Sequence, residues 1–380
     1  MTVSTSTPQI ARLSSALPYG LSLLLVPLSL ASITWGGWWI ATVPLAAWWL
    51  FIVLDTATAP NIDNQDPDTP TADLFWYRGL TMLWFPVQAS LVIYALATVP
   101  AAPGFATHEK VLIFFGLGIL SGTIGIVYAH ELMHQKNRLE RWLGDLLMTA
   151  VFYGHFRSEH LLVHHRYVGT PKDAVTARYN EGFHVFFPRV LRQSFGSALG
   201  AEAALLRRKG ASPWARSNPF WRYAALQLIW LALAYALGGL AGVGLLAVCA
   251  FTAVWQLELV NYVEHYGLTR EHLGGGKYEH TKPRHSWNSA HRATNWLLIN
   301  LQRHSDHHYK PDRRFPLLQH HAEDEAPQLP HGYALMTICA LIPPLWFRVM
   351  NPRVRAWRKR FYPHITDWSA YKAATNPMPR

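Results

Sequence analysis

Charge and sulfur are what this chain has least of. Only 15% of its 380 residues are Asp, Glu, Lys or Arg, against about 25% in soluble domains. That shortage excludes a disordered chain and sets the protein apart from ordinary soluble enzymes. The two cysteines, Cys249 and Cys339, each sit inside an apolar run. Two thiols exclude a disulfide scaffold, a four-cysteine zinc site and a thiolate-held iron–sulfur cluster within the chain. What the chain has in excess is apolar bulk, with 50% hydrophobic residues and 17 Trp, 17 Phe and 16 Tyr, and it also carries 20 His.

Crossing a bilayer takes roughly 20 mostly apolar residues. Six stretches meet that need: Leu17–Thr34, Trp38–Leu54, Leu80–Val99, Val111–Ala129, Tyr223–Leu240 and Ala241–Tyr262. Gly36 and Gly37 separate the first two, and Gly238, Gly239 and Gly242 the last two, so both pairs are predicted to be tight hairpins. His331–Phe347 is shorter and broken by Pro343 and Pro344, and it reads as an interfacial or packed segment.

Six crossings put both termini, the 55–78 loop, the 135–222 segment and the C-terminal third on one side. The last two carry Lys136, Arg138, Arg141, Arg207, Arg208, Lys209, Arg303, Arg313, Arg314, Arg348 and the run Arg353–Arg360. An excess of Lys and Arg marks the cytoplasmic face. Met1–Pro18 holds only Arg12 and lacks a cleavage signal, so the first run is expected to stay as a span. The net charge of +11 then reflects topology and anionic lipid, and no nucleic-acid partner is expected. The expected fold is an all-α integral membrane protein, a single domain over residues 1–380 with about six transmembrane helices and a cytoplasmic helical cap carrying the histidines.

Those histidines fall in clusters: His130-Glu-Leu-Met-His134, Glu159-His160-Leu-Leu-Val-His164-His165 and His304-Ser-Asp-His307-His308. Residues four apart share a helix face. His130/His134, His160/His164 and His304/His308 are therefore each predicted to aim two imidazoles at one point. His165 and His307, rotated around their helices, are expected to reach a second metal nearby. Imidazole without thiolate suits Fe, Zn, Cu or Ni. Metal-bound histidines commonly donate their other N–H to a carboxylate, and Glu131, Glu159, Glu264 and Asp306 stand beside the clusters to fill that role. The other histidines, including His285 and His291, read as ordinary polar residues. His-Glu-x-x-His alone is also a zinc metalloprotease motif with Glu131 as general base. That reading leaves six clustered histidines without a role and finds no second motif for a third ligand.

The three clusters, with spans before, between and after them, resemble the membrane-bound histidine-box di-iron family of desaturases and hydroxylases. Asn261–Leu268 (NYVEHYGL), His285–His291 (HSWNSAH), Leu301–His308 (LQRHSDHH), Pro311–Phe315 (PDRRF), Ala326–Tyr333 (APQLPHGY) and Arg348–Pro352 (RVMNP) resemble its alkane 1-monooxygenase branch. The xylene monooxygenase hydroxylase component is similar, sharing a segment like Arg207–Trp214 (RRKGASPW).

The resemblance implies two Fe ions held by nine histidines: His130, His134, His160, His164, His165, His265, His304, His307 and His308. It implies O2-dependent hydroxylation of the terminal methyl of alkanes to primary alcohols, the apolar substrate entering from the bilayer and membrane lipid surrounding the chain. Electrons are then expected from a separate rubredoxin or ferredoxin with an NAD(P)H-dependent reductase, docking on the Arg-rich face, in the bacterial inner membrane with the site on the cytoplasmic side. Alternatives within the same fold are benzylic hydroxylation of alkylaromatics and acyl-lipid desaturation. Two departures stand out: Gln135 precedes Lys136 after the first box, and Leu161-Leu162-Val163 replaces the family's glycine before the second His pair. Trp38, Trp39, Trp48, Trp49 and Phe51 of the second span are candidate channel walls.

Overall fold

The computed structural model describes residues 12–368; the Met1–Ala11 part of the expected leaderless N-terminus lies outside them. Among the described residues, five helices are long and apolar enough to cross a membrane: α1 (Leu13–Trp35), α2 (Gly37–Ala57), α3 (Thr71–Thr98), α4 (Thr107–Met133) and α8 (Pro219–His265). Each overruns the apolar stretch that announced it, because the helices continue beyond the hydrocarbon-like core.

At 47 residues, α8 would be roughly 70 Å long if straight, more than twice the hydrocarbon thickness of about 30 Å. It is not straight. Gly239 adopts φ 60° and ψ −154°, a conformation that only glycine enters readily. The chain doubles back there, and Gly242 closes so tightly on the Ala234 carbonyl that a Cβ would lie 2.5 Å from it. α8 is thus two apolar arms, as the glycines foretold. A similar turn at Gly36 (φ 61°) joins α1 to α2. These turns gather at one end of the bundle, where the Gly37 amide donates to Glu109 Oε1 of α4 at 3.0 Å and Gly238 packs on Pro100.

The polar chain gathers at the other end. It comprises α5 (Arg138–Ala150), the chain through Phe156–Glu159, His160–His164 and His165–Tyr167 (α6), and α7 (Phe183–Arg208). A two-stranded hairpin (His272–Gly274 and Lys277–Tyr278) follows, then α9 (Arg292–Leu297), α10 (His304–Tyr309), α11 (Tyr333–Ala340) and α12 (Pro343–Phe361). α11 and α12 meet at 119°, where Pro343 and Pro344 lack the amides a straight helix needs. Asn137 starts α5 by accepting from the Leu139 and Glu140 amides at 2.8 and 3.3 Å, and Asn218 caps α8 through the Phe220 amide at 3.0 Å.

α4 is the central helix: 83% of its most apolar window is buried, against 28–44% in the other four. The loop between α2 and α3 is strapped across the segment leading to α10. Buried Arg303 donates to the Asn61 and Asp63 carbonyls at 3.2 and 2.8 Å and to Asn64 Oδ1 at 3.1 Å, and Asp55 accepts from the Thr294 amide and hydroxyl at 2.9 and 2.7 Å. The strap fixes the start of α10 to the membrane bundle.

Candidate metal centre

Four stretches of chain converge at the polar end of the bundle: the last turn of α4, α6, the last turn of α8, and α10. Their imidazoles form two groups in which one ring nitrogen from each residue lies within 4.8 Å of those of the others. One is His130, His134, His160 and His307; the other is His164, His265, His304 and His308. His165 stands beside the first, its Nε2 at 3.3, 3.0 and 3.1 Å from Nε2 of His134, His160 and His307. Its ring also lies 4.6 Å from that of His308, between the groups. All nine expected histidines meet, as five and four.

The sharing differs from the spacing rule. His130/His134 and His304/His308 stay paired, but His160 and His164 go to different groups. The reason is local: His160–His164 is a π-turn, closed by the bond from the His165 amide to the His160 carbonyl. In an α-helix residues five apart point about 140° away from each other; a π-turn brings them nearly into line. His160 is thereby matched with His165, and His164 is free to face α8 and α10.

Burial, and then the neighbouring rings, press the imidazoles of His134, His160, His165, His304, His307 and His308 well below their ordinary range. They are neutral, the form that binds metals. A neutral imidazole has one donor and one acceptor nitrogen. Nε2 of His134, His160 and His165 make a triangle with sides of 3.0, 3.0 and 3.3 Å, so at least two of the three play the same role and cannot hydrogen-bond to each other. His164 Nε2 is buried without any partner, while its Nδ1 lies 3.0 Å from Asp173 Oδ2. These lone pairs fit a shared cation: nitrogens about 2.1 Å from one ion and at right angles around it are about 3 Å apart. The donor set, nitrogen only and without thiolate, fits non-haem iron.

The acids divide. Glu264 Oε1 lies 3.3 Å from His304 Nδ1, across from its own helix. Glu131, by contrast, accepts from Gln135 Nε2 at 2.9 Å and the Phe315 amide at 3.2 Å. Asp306 takes Arg313 at 2.7 and 2.6 Å and the Gln319 amide at 2.9 Å. Glu159 keeps both oxygens buried without a hydrogen bond, and that burial pushes its carboxyl well above the usual range. None of these three touches a clustered ring through its carboxylate. A residue next to a ligand on a helix is turned about 100° from it, which aims these acids elsewhere.

The acid that sequence reading missed is Asp173, held in a turn by the Val175 amide at 3.0 Å and the Thr176 hydroxyl at 2.7 Å. Its contact to His164 runs through a loop, which no helical spacing announces. Asp173→Asn is expected to weaken iron retention and turnover about 10–100-fold, as loss of such partners does. Iron loss to a chelator and product formation measure both.

Of the candidate channel walls, Trp38 is 92% exposed, Trp39 45% and Trp49 57%; they face outward. Phe51 is buried, and Trp48 packs partly against the core. A cavity of about 580 Å³ reaches His134 and is lined by Arg78 at the start of α3, Lys136, Lys310, Arg313 and Arg314, with Asp68 and Asp312.

Fold and site together define a membrane protein with a polyhistidine centre of the fatty acid desaturase class, and the fatty acid desaturase family matches residues 110–339. The chain is 39% identical over 353 residues to alkane 1-monooxygenase 2 of Pseudomonas aeruginosa, covering 87% of this chain and 90% of that protein. It is 37% identical to the alkane 1-monooxygenase of Acinetobacter baylyi, with 80% of this chain and 74% of that one covered. The hydroxylase component of the xylene/toluene monooxygenase of Pseudomonas putida is 32% identical, with 86% of each chain covered. The chain belongs to the alkane 1-monooxygenase family.

Proposed function

We propose that this protein hydroxylates the terminal methyl group of alkanes to primary alcohols, using O2 and two non-haem irons, one held by each histidine group. The observation that carries this reading is the pair of largely buried, nitrogen-only donor sets gathered at the ends of two apolar helices. His130, His134, His160, His165 and His307 would hold one ion; His164, His265, His304 and His308 the other. Bound iron supplies the O2-dependent redox chemistry that an unactivated C–H bond requires.

The chain does the rest. Asp173 and Glu264 fix the rings of His164 and His304. Burial of the clustered rings keeps water from the reacting end of the substrate. The placement of His130 and His265 in the last turns of α4 and α8 sets the centre at the edge of the apolar bundle, within reach of a chain dissolved in the bilayer.

The single domain has its histidines under a cytoplasmic helical cap in the bacterial inner membrane, a reading supported by the Lys and Arg of that end. Electrons come from a separate rubredoxin or ferredoxin with its NAD(P)H-dependent reductase. The cation-lined cavity at His134 supports docking of an acidic carrier there, closer to the centre than exposed Arg207 and Arg208.

Reconstituted with donor, octane and ¹⁸O2, the protein is expected to give 1-octanol carrying one ¹⁸O atom and to hold about two irons per chain. Unlabelled alkene would mean desaturation. Preference for xylene over octane would move it to the alkylaromatic branch. Zinc without iron would overturn the oxygenase reading.

A further inference from the structure

α4 is not α-helical throughout. Residues Ser121–Ile126 form another π-turn, one helical turn before His130. Two glutamines from other helices flank it within the apolar bundle. Gln256, on the second arm of α8, donates through Nε2 to Thr123 Oγ1 at 2.9 Å. Its Oε1 is buried without a partner and presses on Gly122, where any Cβ would collide with it. On the other side Gln88 of α3 accepts from Trp84 Nε1 at 2.9 Å and lies against Gly125, again too close for a Cβ.

Burying an unpaired carboxamide oxygen is unfavourable, so packing alone gives no reason for glutamine at 256. The π-turn does give one. It adds one residue to the helix and thereby rotates everything after it by about 100°. Ile113, Phe114 and Leu117 seat the first half of α4 in the core; His130 and His134 follow the added residue. Closed to a plain α-helix with no residue removed, α4 seated by those same residues would turn both rings off the first histidine group.

We infer that Gln256, with Gln88 opposite, is a positioning residue that holds the π-turn of α4 open and so aims His130 and His134 at the first metal. The inference rests on the metal reading above. Thr123 supplies the handle, and the glycines at 122 and 125 leave room for the two carboxamides.

The test uses the full chain in detergent, loaded with iron. Gln256→Leu removes a buried polar group and keeps the volume, so its melting temperature is expected to equal or exceed that of the wild type. Iron of the first group is expected to be lost to a chelator about 10–100-fold more readily, with the second group's iron unaffected. Gln256→Glu keeps the reach and an oxygen to which the Thr123 hydroxyl can donate, and is expected to recover most of the retention. Deleting Ile124 removes the added residue itself, so a plain α-helix gives His130 and His134 the bearing they have in the wild type, and both irons are expected to stay, even in combination with Gln256→Leu. Equal iron retention in Gln256→Leu and wild type would overturn the inference, as would a parallel loss of melting temperature and iron, the mark of a packing residue. A wild-type chain without iron would instead strike at the metal reading itself.

Discussion

His307→Ala is expected to remove the iron of the first histidine group and to lower alkane turnover by more than about 100-fold, since even the partners of metal ligands are worth about 10–100-fold. His307 is central to its group. Its Nε2 lies 3.1 Å from that of His165, and its ring centre is 4.3 and 4.6 Å from those of His130 and His134. The other rings cannot close over the gap, because His130 is fixed by α4 and His160 and His165 by their shared π-turn. The neighbours on α10, His304 and His308, belong to the other group, so the second ion is expected to stay. Metal analysis should then read about one iron where the wild type reads two, at unchanged helix content. A variant retaining both irons and its turnover would sink the ligand assignment.

How far the sequence told this in advance depends on the distance over which each signal acts. The apolar runs and their glycine breaks are local, and the helices, the turn at Gly36 and the doubling back at Gly239 follow from them. The histidine clusters are also local, since a helix puts residues four apart on one face wherever it lies. The division between the groups was not legible. A π-turn uses the same residue types as an α-helix, and His160–His164 adopts one because its rings are claimed from two sides by α4, α8 and α10. The acids show the same limit. Glu264 does touch a clustered histidine, but His304 of α10, not its neighbour His265. Asp173 reaches His164 through a loop. The buried glutamines beside α4 look unremarkable in sequence, as their partners are brought to them only by the packing of three helices.

The same packing makes Glu140 the residue whose loss is expected to destabilise the polar end most. Glu140 is buried at the start of α5; it accepts from Arg78 Nε of α3 at 2.9 Å and from Arg314 Nη2 at 2.9 Å. Arg314 in turn stands 4.0 Å from Glu131, the neighbour of His130, and the next amide, that of Phe315, donates to Glu131. One carboxylate thus ties α3, α5 and the segment after α10 to the end of α4. Glu140→Ala leaves two guanidinium groups facing each other with no anion between them. Breaking a buried pair in this way costs about 3–5 kcal/mol, and the lower end is expected because the Arg78 side chain is 28% exposed. The comparison is Asp312→Ala: the Lys136–Asp312 pair is 3.9 Å apart with side chains 93% and 65% exposed, and such pairs contribute at most about 1 kcal/mol. Thermal unfolding in detergent at low and high salt separates the two. The Glu140→Ala loss is expected to persist in high salt, because buried charges are poorly screened, and the Asp312→Ala loss to vanish. Iron retention should fall with Glu140→Ala as well, since the freed Arg314 no longer holds the carboxylate beside His130 in place. A Glu140→Ala protein that melts with the wild type would show that the ends of α3, α4 and α5 are held together by apolar packing alone.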